Sequence, residues 1–198
     1  MKYFFILLAD FMILVNSELQ DVKFRPNLPL GEYRLHFNSI QRCNQKCAIQ
    51  FNFYLFKTSR TKVELRGNMT SANKAFDDSL WFNGAMSVKD KIGTWQNNAY
   101  VYKSPHAYKT LKKILGGEFK FFSNSFGLND TEQNSFPPGT YVTKGYDLSN
   151  YPSNTNLPKQ IFYGTYKFNI NYTEKNGDVV ACFMVFIDVK RLWESESE

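Results

Sequence analysis

The 198-residue chain is poor in the residues from which catalytic and metal sites are usually built, with 3 cysteines and 2 histidines. His36 and His106 cannot complete a recognisable zinc spacing with Cys43, Cys47 and Cys182, so no metal site is expected. There is no Gly-rich phosphate loop and no G-x-S-x-G elbow, and neither histidine has a nucleophile or carboxylate partner at a known spacing. The adjacent acidic pair Asp77-Asp78 falls in an expected turn, and sequence neighbours rarely converge in one cleft as catalytic carboxylates must. No enzymatic activity and no cofactor are therefore expected. Long apolar runs are also scarce: beyond residue 17 none reaches the length of a membrane span.

What the chain does have begins at its N-terminus. Lys2 precedes an apolar run from Tyr3 to Val15, followed by Val15-Asn16-Ser17 and then the polar ELQDVKFRPN. This is the pattern of a secretory signal peptide over residues 1–17, too short to span a bilayer. Removing 17 of 198 residues leaves 181, residues 18–198, a suitable size for one domain with a real core. The C-terminal ESESE is neither a retention signal nor a lipid-anchor tail, so a secreted, extracellular protein is expected, with a lysosomal or other luminal compartment as the alternative. Three N-glycosylation sequons fit export: Asn68-Met69-Thr70, Asn129-Asp130-Thr131 and Asn171-Tyr172-Thr173. In that setting an odd cysteine count reads as one bridge and one leftover thiol.

The charge balance is moderately basic, 24 Lys and Arg against 18 Asp and Glu. Lys109, Lys112, Lys113 and Lys120 cluster and would suit an anionic surface, although such a cluster is more often the solvated side of a helix. Export argues against nucleic acid as a partner.

Aromatic residues are abundant. The mature chain would keep 16 of 19 Phe, 11 of 12 Tyr and all 3 Trp. Many occur in short strand-like runs separated by turn residues: 48–56, 61–70, 79–88 and 95–102. In HAYKTLKKILGG the period changes. Tyr108, Leu111, Ile114 and Leu115 recur at helical spacing and Gly116-Gly117 supplies a stop, which predicts one amphipathic helix of about three turns. FPPGTY then opens another extended segment. The clearest element is a hairpin, FYGTYKFNINY and VVACFMVFIDV around TEKNGD, whose Asn176-Gly177 suits a tight turn. Its first arm alternates, with Phe162, Gly164, Tyr166, Phe168, Ile170 and Tyr172 on one face. The second arm is apolar almost throughout and needs cover on both faces, which places it in the middle of a sandwich or behind a helix. Seven or so antiparallel strands predict an all-β sandwich with one inserted short helix.

The last third of the chain resembles the ganglioside activator branch of the ML-domain lipid-recognition superfamily. That branch carries C-P-x-x-x-G-x-Y, then L-P followed by G-x-Y, then a hairpin with a cysteine in the final strand. Here Asn134-Ser135-Phe136-Pro137-Pro138-Gly139-Thr140-Tyr141 stands at the first motif, Leu157-Pro158 with Gly164-Thr165-Tyr166 at the second, and Cys182 at the last. The specific match covers about the last 60 residues, within a weaker one over roughly 35–192. Family members also bridge the helix to the loop before G-x-Y; Tyr108 and Asn134 stand at the approximate positions of those two cysteines, so both ends of that bridge are missing together.

The resemblance implies an immunoglobulin-like sandwich opened into a hydrophobic cup that takes up acyl chains and breaks no bond. It implies a disulfide from Cys182 to Cys43, with Cys47 as the alternative partner. Tyr166, Phe168 and Ile170 would line the cup with Trp81, Trp95 and Phe119, and Ile161, Phe162 and Tyr163 would form its rim. The implied partner is a lipid or other small hydrophobic ligand, with a membrane surface or a receptor as further candidates. Against this stands a sandwich closed on itself, in which the same aromatics are core and the protein is an extracellular adhesion or receptor-binding module.

Overall fold

A computed structural model describes residues 29–43, 46–128, 134–149, 151 and 153–194. The expected signal peptide and the Asn129 sequon lie outside the described residues. The chain divides into two compact units, Met1–Leu30 and Gly31–Glu198. Of the first, Pro29 and Leu30 are described, and both are exposed. Everything below concerns the second.

Eight strands of nine residues or more form two antiparallel sheets among the described residues: β1 (Tyr33–Arg42), β2 (Ile49–Lys57), β3 (Val63–Ser71), β4 (Trp81–Lys89), β5 (Trp95–Ser104), β6 (Gly139–Asp147), β7 (Gly164–Thr173) and β8 (Val179–Arg191). One sheet has the order β1-β8-β7-β4-β5 and the other β2-β3-β6. The fold is the expected β-sandwich. The four upstream strand runs correspond to β2 through β5. The apolar arm β8 lies between β1 and β7, which gives both of its edges hydrogen-bonded neighbours. Its hairpin closes with Gly177 at φ 95°, a conformation that glycine adopts without strain. The Asn176 carboxamide oxygen accepts from the Asp178 N–H at 3.1 Å.

One strand was not expected. In β1, Tyr33, Leu35 and Phe37 alternate inward, but pairing with β8 steps from Phe37↔Ile187 to Ser39↔Phe186, leaving Asn38 as a bulge. The bulge shifts the period and carries Ile40 back to the inner side.

The helical insertion is also longer than expected. The predicted helix is α1 (Ala107–Leu115), which buries Tyr108 and Leu115 and ends at Gly116, φ 55°. A 3₁₀ turn (Gly116–Glu118) then leads directly into α2 (Phe119–Ser125). The double glycine ends one helix without ending helical structure, because Phe119, Phe122 and Phe126 continue an apolar stripe at spacings of three and four. Orphan carbonyls at the end of α1 find partners in the 154–156 loop: the Asn156 N–H donates to Ile114 O at 3.1 Å, and its carboxamide donates to Lys113 O at 2.7 Å. At the other end of α1, the Asp78 carboxylate accepts the Lys109 N–H at 2.9 Å and pairs with its ammonium at 3.3 Å.

The helix–loop bridge of the resembled family has an aromatic counterpart. Tyr108, 2 % exposed, packs its ring against Phe119 at 5.6 Å and Phe136 at 6.0 Å. Phe136 is in turn held by a two-hydrogen-bond bridge to Phe76. The disulfide Cys43–Cys182 joins the region after β1 to β8, and Cys47 is free.

Candidate apolar cavity

The inner face of the five-stranded sheet carries two apolar clusters. The larger joins it to β2, β3 and the helices and is centred on Ile49, Phe51, Phe76, Leu80, Phe82, Phe119 and Tyr172. The smaller is built from Tyr33, Tyr166, Ile187 and Val189, with Ile161, Tyr163 and Phe168 packed on it. A third, formed by Leu65, Tyr146 and Leu148, lies against Phe37, Ile40 and Phe122.

Packing is incomplete between the first and third clusters, leaving a cavity of about 210 Å³. Its walls come from both sheets and the helices. Phe51 and Phe53 face it from β2, Leu65 and Met69 from β3, Ile170 and Tyr172 from β7, and Phe183 and Val185 from β8. Leu111 and Ile114 of α1 and Phe122 of α2 close one side. Ring contacts set its shape: Phe51 to Phe183 at 5.2 Å, Phe122 to Phe126 at 5.1 Å, and Tyr172 to Phe76 edge-on at 4.7 Å. Among the described residues no charged side chain lines it, and its polar groups are the hydroxyls of Tyr146, Tyr151 and Tyr172. Burial pushes the pKa of all three well above the usual tyrosine value, and at Tyr146 the neighbouring Glu118 carboxylate adds to the effect. They therefore stay neutral at any physiological pH.

A cavity of about 150 Å³ lined by aliphatic and aromatic groups is enough for benzene, and drug-sized ligands occupy roughly 300–1,000 Å³. The space here suits an apolar molecule of roughly eight to ten heavy atoms by that scaling. A longer chain would have to move wall residues.

Of the nine expected ligand-binding residues, the structure brings Ile170 onto the cavity wall. Tyr166 and Phe168 share its face of β7 but belong to the smaller cluster, where the Tyr166 hydroxyl donates to Phe162 O at 2.7 Å. Ile161 and Tyr163 pack on that cluster too. The Tyr163 hydroxyl donates to Glu32 O at 2.9 Å and its ring lies under the Arg191 guanidinium at 4.5 Å. Phe162 is 58 % exposed.

Phe119 is fully buried in the larger cluster behind the wall. Trp81 precedes the inward Phe82, so strand alternation turns it to the outer face, where it is 37 % exposed. Trp95 lies on that outer face as well, with Lys167 over its ring at 5.2 Å and Phe186 against its edge at 6.0 Å. The wall residues Phe51 and Phe53 lie in the run 48–56 that reads as a strand, and Leu111 and Ile114 in the helical stripe, none of them with an expected binding role. What the sequence does not display is that these faces meet one another around a void.

No family model and no curated protein matches the chain. Among solved structures, chicken MD-1 complexed with lipid IVa is similar at a TM-score of 0.38 and 15 % sequence identity, over 79 % of this chain and 98 % of that one.

Proposed function

We propose that this is a secreted, non-enzymatic protein of the ML-domain type that binds and transfers a lipid or other small hydrophobic ligand, held between its sheets. The observation that carries this reading is the cavity. The space of about 210 Å³ is larger than the roughly 150 Å³ that holds benzene, and its walls are almost wholly aliphatic and aromatic side chains. An apolar space of that size is readily understood as one a ligand fills. The motifs around Gly139-Thr140-Tyr141 and Gly164-Thr165-Tyr166 support the same assignment, as does a disulfide suited to an exported protein. On this reading Phe162, exposed beside the smaller cluster, is a rim contact for ligand or membrane.

Native mass spectrometry of the secreted protein, followed by denaturing extraction, tests the proposal. The expected result is one apolar molecule per chain. Ile170→Trp should fill the cavity and reduce uptake of an apolar probe at least tenfold while leaving the melting temperature within a few degrees of wild type. A clean ligand-free mass together with no uptake of any apolar probe would instead favour the closed adhesion module.

The two described sequons fit the same picture. Asn68 lies on the outer face of the three-stranded sheet, its carboxamide oxygen accepting from Asn52 at 2.8 Å and from the Thr70 hydroxyl at 3.2 Å. Asn171 lies on the outer face of the other sheet, in a shallow polar depression with Asn83, Lys103 and Asn169. Glycans at both would leave the cavity untouched. Asn68→Gln and Asn171→Gln are each expected to remove one step of the glycosidase-sensitive mass ladder; unchanged masses would show these sites to be unmodified.

A further inference from the structure

Most tyrosine hydroxyls packed in the described fold have partners, but Tyr151 and Tyr172 on the cavity wall have none among the described residues. The hydroxyls of Tyr33 and Tyr141 donate to Pro158 O and Pro137 O, that of Tyr166 to Phe162 O, and that of Tyr146 to the Glu118 carboxylate. Tyr172 stands on the cavity wall and is 3 % exposed, yet its hydroxyl has no hydrogen-bond partner among the described residues. Nor is that oxygen sealed in by protein atoms, so the open space it borders is the cavity. The ring itself is held on three sides by Phe76, Phe82 and Phe51, at 4.7, 5.7 and 5.9 Å, which leaves little freedom to swing the hydroxyl elsewhere. Phenylalanine would pack as well there without the cost of a buried unpaired donor.

We infer that Tyr172 is a specificity-determining residue, and that the natural ligand is not a plain hydrocarbon but a neutral molecule with a carbonyl-type acceptor oxygen inside its apolar body, received by the Tyr172 hydroxyl. The inference rests on the ligand-binding reading above. The acceptor must be uncharged, because among the described residues no cationic side chain lines the cavity and a buried carboxylate would go unpaired. A trapped water is the competing occupant. It needs two to four polar partners, and the unpaired Tyr172 and Tyr151 hydroxyls supply that minimum, so the test must separate the two occupants: a water alone gives no 2-octanone preference that Tyr172→Phe removes.

The test is isothermal titration of the full-length secreted glycoprotein with octane and with 2-octanone, a pair matched in chain and differing in the oxygen. The ratio of 2-octanone to octane affinity is expected to be about tenfold higher in wild type than in Tyr172→Phe. Tyr172→Phe is expected to lose about tenfold in affinity for 2-octanone and nothing for octane. The substitution removes one hydroxyl, keeps the Asn171-x-Thr173 sequon, and should melt without ligand at or above the wild-type temperature, so a loss of ketone binding cannot be assigned to unfolding. A ratio of the two affinities that is the same in wild type and Tyr172→Phe overturns the inference while leaving apolar ligand binding intact. Failure of both probes to bind wild type overturns both.

Discussion

Gly67→Ala is expected to destabilise the protein by about 3 kcal/mol or more, a large effect for the addition of one methyl group. Gly67 has φ 119°, which residues with a Cβ rarely adopt, and a methyl group there would stand 2.0 Å from Asn52 O and 3.1 Å from Phe53 Cα. Both are backbone atoms of the paired strand β2, so neither can turn aside as a flexible side chain would. Retreat on the other side is limited because β3 is the central strand of its sheet. Its pairing with β6 already shifts register here, from Leu65↔Tyr146 to Gly67↔Thr143. Glycine is thus the residue that lets β3 bend between two partners. Leu65 and Met69, two residues to either side, are cavity wall, so probe uptake should fall along with stability. Urea unfolding followed by circular dichroism measures the loss. A change under 1 kcal/mol would mean that β2 and β3 separate at this point at little cost.

Cys182→Ala should cost about 3–5 kcal/mol, or about 10 °C in melting temperature, by opening a bridge that closes a sequence separation of 139 residues. Cys43→Ala should cost less. Free Cys47 lines the same small recess as both bridged cysteines, so Cys47 can take over the pairing with Cys182. Thermal melts of the two variants, with peptide mapping of Cys43→Ala, check this. Equal losses and no Cys47–Cys182 peptide would show that the alternative bridge does not form.

The elements whose patterning is local were legible in the sequence. Strands β2 through β8 announce themselves by alternation, by turn residues or, for β8, by an uninterrupted apolar run flanked by Asn176-Gly177. Strand β1 was hidden by the bulge at Asn38, which breaks the alternation of Tyr33, Leu35 and Phe37 before Ile40 resumes it. The second helix was hidden by Gly116-Gly117, a genuine stop for α1 followed at once by a new start.

The candidate site was harder to read, for a different reason. Alternation identifies a greasy face but not its partner across the sandwich. Along β7 one continuous face is shared between two clusters, so Tyr166 and Phe168 join the smaller one while Ile170 and Tyr172 meet the helices and β2. Trp81 illustrates the limit at a single position: its size argues for the interior, but the inward register belongs to Phe82 beside it. A void depends on how four or five distant segments fail to fill the space between them, and no single segment records that.

The contact of Tyr108 with Phe119 and Phe136 bears on how firmly the helical insertion is held beside the cavity. Where a covalent staple would fix the helix to the neighbouring loop until chemically cut, stacked rings let go and re-form on thermal timescales at a cost set by temperature and solvent. Since α1 carries Leu111 and Ile114 of the cavity wall, how tightly these rings hold it bears on the shape of the cavity. Such a contact is indifferent to the redox state of the surroundings, whereas the bridge between Cys43 and Cys182 is not.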